Sequence, residues 1–110
     1  MPILYHLVEP KYWEKFLNSD FYTPPTYAQE GFIHLSLREQ LDGTLARHYP
    51  EAKELVVLLI SERVVMDHLK YEPGGPNGEL FPHYYGELPI EAVTDTNILF
   101  RTKKGDWEWV

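Results

Sequence analysis

The sequence contains no cysteine. Disulfides, thiolate nucleophiles and cysteine-ligated metals are thereby excluded, and the chain fits a reducing compartment. Long apolar runs are missing too. Nothing approaches the roughly 18 residues of a membrane span. Met1-Pro2 runs straight into Ile3-Leu4 with no basic segment before an apolar one, so no secretion signal is expected. Basic charge is scarce: Lys and Arg number 10 against 17 Asp and Glu, a net charge of −7. That argues against general nucleic-acid binding, which needs phosphate neutralisation. A cytoplasmic protein with no membrane partner is expected. The close His-x-His and His-x-x-x-His spacings of many metal sites do not occur, nor does the G-x-S-x-G elbow of a serine hydrolase.

What is present suits one globular domain. The 110 residues are 44% hydrophobic and 15% aromatic, enough to bury a core without staples. The stretch Glu30 to Tyr49 stands out. Phe32, His34 and Ser36 alternate with Ile33 and Leu35 at strand period. Leu37, Leu41 and Leu45 then follow at helical spacing until Pro50. Ser36 and Glu39 have the spacing of a capping box. His34 and Ser36 would share a strand face that meets a helix N-terminus, a natural anion-binding place.

The rest reads as alternating short elements. Ile3–Val8 is a strand, apolar on both faces and therefore expected to be central. Pro10 opens a helix with Tyr12, Trp13, Phe16 and Leu17 as its apolar stripe, stopped at Asn18-Ser19-Asp20. Phe21–Gln29 is an aromatic loop stiffened by Pro24 and Pro25, either a pocket wall or packing over a sheet edge. Leu55–Ile60 is an uninterrupted apolar strand, and Ser61–Leu69 holds a short helical turn. Lys70–Glu72 is a short strand. Pro73–Glu79, with three glycines and two prolines, is a hairpin connection or a mobile flap. Leu80–Gly86 carries His83 among aromatics, with Pro82 barred from donating to a ladder. Val93–Arg101 and Trp107–Trp109 are strands joined by a turn at Lys103–Asp106.

Three histidines, His6, His34 and His83, lie in strand-like, apolar segments far apart in sequence, whereas His48 and His68 lie on polar faces. If the strands are neighbours, the three line one cleft, joined by Ser36, Glu30, Glu72 and Tyr5 or Tyr85. Two chemistries fit. One is a His and carboxylate metal site, as in a metal-dependent hydrolase. The other is a polar floor for a ribose or phosphate, with aromatics stacking on a base.

Tyr5-His6, Glu30 to Ser36 with Gln40 behind it, Tyr71-Glu72 and Phe81 to Gly86 closely resemble the motifs of the family known as domain of unknown function 952, over Ile3 to about Val93. The resemblance implies an α+β domain with small mixed sheets and two helices. More distantly the chain is similar to the ADP-ribosyltransferase fold, with its split sheets and a cleft for NAD or ADP-ribose. That likeness implies His6 in the first motif, His34 with Ser36 in the second and His83 in the third. It makes His34, His83 and Glu72 the catalytic candidates and His6, Ser36, Gln40, Tyr85, Tyr5 and Glu30 the ligand contacts, with no metal. A small-molecule ligand and ADP-ribosyl or phosphoryl transfer are expected. Phe81 to Gly86 holds no glutamate, the residue transferases usually carry there, so a non-catalytic metabolite-binding module is the alternative. The sequence does not specify the oligomeric state.

Overall fold

A computed structural model describes residues 2–110. Its frame is a four-stranded antiparallel sheet in the order β1-β4-β8-β9, built from β1 (Ile3–Val8), β4 (Glu54–Ser61), β8 (Val93–Arg101) and β9 (Trp107–Trp109). A three-stranded sheet, β3-β6-β5, holds β3 (Ile33–His34), β6 (Leu80–Tyr84) and β5 (Leu69–Pro73), and β2 (Phe21–Tyr22) pairs with β7 (Leu88–Pro89). The fold is α+β. Every pairing is antiparallel, which corrects the expectation of mixed sheets.

β4 explains the layering. Its side chains alternate between two cores. Val56, Leu58 and Ile60 join Leu4, Val8, Tyr22, Ile33 and Leu35 on one face. Leu55 and Val57 join Leu7, Leu41, Leu45 and Leu99 on the other. The first core is covered by α1 (Pro10–Glu14), α2 (Tyr27–Glu30) and the smaller sheets, and the second by α3 (Leu41–His48). A single turn, α4 (Glu62–Val65), follows β4, so α1 and α3 are joined by two one-turn helices where two helices in all were expected.

β1 is an edge strand, not a central one. Its apolar faces arise because both cores press on it, and its outer rim is shielded by Ser36. Ser36 and Tyr5 exchange backbone hydrogen bonds of 2.8 Å in both directions, which joins the two larger sheets at one point.

The helix start also differs by one residue. Leu37, not Ser36, is the cap position of a 3₁₀ turn, Arg38–Gln40, that leads into α3. Gln40, not Glu39, folds back: its Oε1 accepts from the Leu37 amide at 2.9 Å. Its Nε2 donates to the Leu80 carbonyl at 2.7 Å and to Glu79 Oε2 at 3.2 Å. Gln40 is buried and ties α3 to the β5–β6 hairpin. Gln40→Ala is expected to destabilise the protein by about 1–3 kcal/mol, the cost of leaving buried partners unmatched. Urea unfolding checks this, and a loss under about 0.5 kcal/mol would be the scale of an ordinary surface change.

Candidate functional site

His6 is the buried centre of the region. Its Nδ1 donates to the His34 carbonyl at 2.7 Å, because a carbonyl can only accept. The other nitrogen, Nε2, is then the acceptor, and the Tyr22 hydroxyl donates to it at 2.7 Å. Tyr22 is wholly buried, with Tyr12, Trp13 and Phe16 packed around its ring. Burial lowers the His6 pKa to about 4, although the His34 carbonyl opposes the shift. Burial also raises the Tyr22 pKa. His6 therefore has no nitrogen left for a ligand. It holds β3 against β1 from within the cleft wall.

His34 is placed by a tight reversal. α2 ends at Gly31, whose φ of +77° is left-handed and favours glycine. The reversal brings the Glu30 carboxylate to His34 Nε2, with both oxygens at 3.1 Å. Partial burial pushes the Glu30 carboxyl up, but hydrogen bonds from His34 and Thr26 outweigh it and hold it below the ordinary value. The His34 side chain is 47% exposed. With Nε2–H directed at a carboxylate, the neutral ring presents Nδ1 as an acceptor.

His34 opens on a cleft of about 480 Å³, within the roughly 300–1,000 Å³ of small-molecule sites. Tyr22, Pro24, Pro25 and Thr26 form one side, Thr44, His48 and Tyr49 from α3 form the other, and His6, Val8 and Ser36 lie between. The stiff aromatic loop is thus both core and cleft wall. Glu9 and Glu30 also line the cleft, and among the described residues no Lys or Arg does. Ser36 Oγ lies 3.2 Å from Thr44 Oγ1. The N-terminus of α3 does not open here. The Ser36 amide is taken by Tyr5 and the Leu37 amide by Gln40, and neither Arg38 nor Glu39 of the first turn is among the cleft residues. Gln40 likewise has no group free for a ligand. The Tyr5 ring packs edge-on against Trp109, 6.3 Å away.

His48, on a polar helix face and not among the candidates that the sequence offers, also lines the cleft. Its ring lies 6.5 Å from that of His34. Partial burial, with Arg47 and His34 nearby, lowers its pKa against the pull of Glu30. Its placement four residues after Thr44 on a helix was the available signal.

His83 sits directly opposite His34 across β3–β6, with ring centres 5.1 Å apart. It does not line the cleft. Its Nδ1 donates to Glu72 Oε1 at 2.8 Å, and the Tyr85 hydroxyl donates to the same oxygen at 2.6 Å. The Tyr85 and then the His83 hydrogen bonds hold the Glu72 carboxyl below its ordinary value. The three histidines are therefore contiguous, yet only His34 offers a nitrogen to the cleft. No group of three His, Cys, Asp or Glu among the described residues is arranged to hold a metal ion. No helix among them is long and apolar enough to cross a membrane.

The chain belongs to the family described as protein of unknown function (DUF952), whose model matches residues 7–96. It is similar to protein CC0527 of Caulobacter crescentus. The crystal structure of that protein superposes with a TM-score of 0.85 at 26% identity, covering 96% of this chain and 93% of that one. The solution structure gives 0.79 at 27% identity, covering 96% and 90%. Comparison with the curated proteins gives no match.

Proposed function

We propose that the cleft binds the ribosyl end of NAD or a related nucleoside and that His34, oriented by Glu30, is its general base. The observation that carries this reading is the His34–Glu30 pair at the mouth of a cleft of small-molecule size. A base held by a carboxylate, with its second nitrogen open, is the arrangement general-base catalysis requires. Ser36 and Thr44 offer hydroxyls to a sugar, and Tyr12 and Tyr49 offer aromatic surface to a base. The distant likeness to ADP-ribosyltransferases points to the same ligand class.

The lining narrows the ligand. Two carboxylates and no Lys or Arg favour a neutral or cationic group over phosphate. The nicotinamide riboside part of NAD is such a group, and its diphosphate would stay outside. In the reaction, the bond from C1′ to the nicotinamide nitrogen breaks and its electron pair leaves with neutral nicotinamide. The oxygen of water or of an acceptor hydroxyl bonds to C1′, and its proton passes to His34 Nδ1. Glu30 stabilises the resulting imidazolium. Phosphoryl transfer is disfavoured by the same lining.

Binding without turnover is the second reading. It is favoured by the engagement of Glu72 with His83 and Tyr85, so that Glu72 does not stand in at the cleft for the glutamate absent from Phe81 to Gly86. A thermal-shift titration with NAD, nicotinamide riboside, ADP-ribose and AMP tests the ligand class. A ligand at about 100 times its dissociation constant stabilises by roughly 2.7 kcal/mol. NAD and nicotinamide riboside are expected to raise the melting temperature and AMP is not. No shift with either of the first two would remove the proposal.

A further inference from the structure

His83 is buried, and its Nε2 is the one buried side-chain nitrogen or oxygen among the described residues without a hydrogen-bond partner. A buried polar atom left unmatched is costly and calls for an explanation. Because the Glu72 carboxylate accepts from Nδ1, the neutral ring has a bare lone pair at Nε2. The ring is fixed by stacking on Phe32, with centres 4.2 Å apart and planes 21° apart.

Gly74 lies beside this nitrogen. A β-carbon built there would lie 3.4 Å from His83 Nε2. Gly74 begins the turn of the β5–β6 hairpin, which is pinned by the bond from its amide to the Glu79 carbonyl at 3.0 Å and passes through Asn77 at φ +61°. Loop tips of glycine and proline with few apolar contacts open at low free-energy cost.

We propose that the Gly74–Glu79 turn is a lid, and that its lifting presents His83 Nε2 as a hydrogen-bond acceptor for a hydroxyl of the ligand held by His34. This rests on the ribosyl reading and deepens it. His34 and His83 are cross-strand partners, and each is oriented by its own glutamate. A ribosyl group carries 2′ and 3′ hydroxyls that a dideoxy sugar lacks, and one of them would donate to His83 Nε2 while His34 Nδ1 stays open to the attacking oxygen.

The test opens the lid in the free protein. Gly75 has extended backbone that any residue adopts, but a β-carbon there would lie 2.6 Å from Phe81 Cε1. Phe81 is buried, so Gly75→Ala forces the turn outward. Histidine acylation by diethylpyrocarbonate is mapped by mass spectrometry, with exposed His68 as the internal reference. His83 is expected to react far more slowly than His68 in the wild type and severalfold faster in Gly75→Ala. Hydrogen exchange of the wild type gives a second readout: the Gly74 amide is expected to exchange through local opening while the Leu35 amide, bonded to Pro82, stays protected. An unreactive His83 in the variant, together with a Gly74 amide as protected as Leu35, would overturn the lid.

The acceptor is read separately. Imidazole ¹⁵N spectra are recorded with nicotinamide riboside and with its 2′,3′-dideoxy analogue. Nicotinamide riboside is expected to move both His34 Nδ1 and His83 Nε2, and the analogue is expected to leave His83 unmoved. A ligand that moves His34 while His83 stays fixed overturns the acceptor and leaves the ribosyl reading intact. If neither compound moves His34, the ribosyl reading fails and the acceptor role fails with it, while acylation and exchange still decide the lid.

Discussion

His34→Ala is expected to lower the rate of ribosyl transfer or hydrolysis by roughly 10²–10⁴-fold, the usual contribution of a positioned acid or base. The melting temperature should stay close to that of the wild type. The His34 side chain is half exposed, so truncation removes little packing. The group that His6 needs is the His34 backbone carbonyl, which alanine keeps. Where turnover is too slow to measure, nicotinamide riboside affinity is the readout, and it should fall at least about tenfold for the loss of one good hydrogen bond. Glu30→Gln is the companion variant. It keeps the shape of the side chain but removes the charge that stabilises the His34 imidazolium, so kcat should fall while KM changes less. Unchanged turnover and affinity in His34→Ala would exclude it as the base.

Acid is expected to destabilise the fold through His6. The His6 pKa drops from 6.5 to about 4 on folding, first because of burial. Between those values the unfolded chain binds more protons than the folded one, so stability rises with pH across the window. The contribution is complete above pH 6.5 and is lost as pH falls through about 4. The full span is about 3 kcal/mol, at 1.36 kcal/mol per unit, against a total stability of about 5–15 kcal/mol for a typical domain. Urea midpoints from pH 7 to pH 4 measure it. His6→Asn keeps a donor for the His34 carbonyl and does not titrate. It should be less stable than the wild type at pH 7 and have a flatter pH profile. Tyr22→Phe leaves His6 Nε2 unmatched and should cost about 1–3 kcal/mol at pH 7. Parallel profiles for wild type and His6→Asn would show that His6 is not the titrating group.

Local pattern was legible where one element decides its own surroundings. Leu55–Ile60 is buried on both faces, as an uninterrupted apolar run requires. Ile33 and Leu35 point inward while His34 faces the cleft. Pro10 opens α1, and Val93–Arg101 and Trp107–Trp109 pair as a hairpin. What period and composition do not carry is the partner of a polar atom. His6 and Tyr22 are 16 residues apart, and nothing local says that they meet. The helix cap lies one residue from its expected place because Gln40 has a second set of partners, Glu79 and Leu80, in a distant hairpin. β1 reads as central because two cores cover its faces, while only sheet order reveals it as an edge. His48 lies on a polar helix face, as expected, and that face turns out to be a cleft wall.

The central claim is that the ribosyl end of a nucleoside ligand is held between the Pro24–Thr26 loop and α3, with His34 at its edge. The most direct test is a backbone and imidazole NMR titration of the untagged protein with nicotinamide riboside. The shifted resonances are predicted to cluster on Thr26, Glu30, His34, Ser36, Thr44 and His48, with those of Arg38, Asn97 and Trp109, which line a separate pocket, unmoved. Saturating binding that instead perturbs Arg38, Asn97 and Trp109, or no saturable shift at His34, would contradict the account.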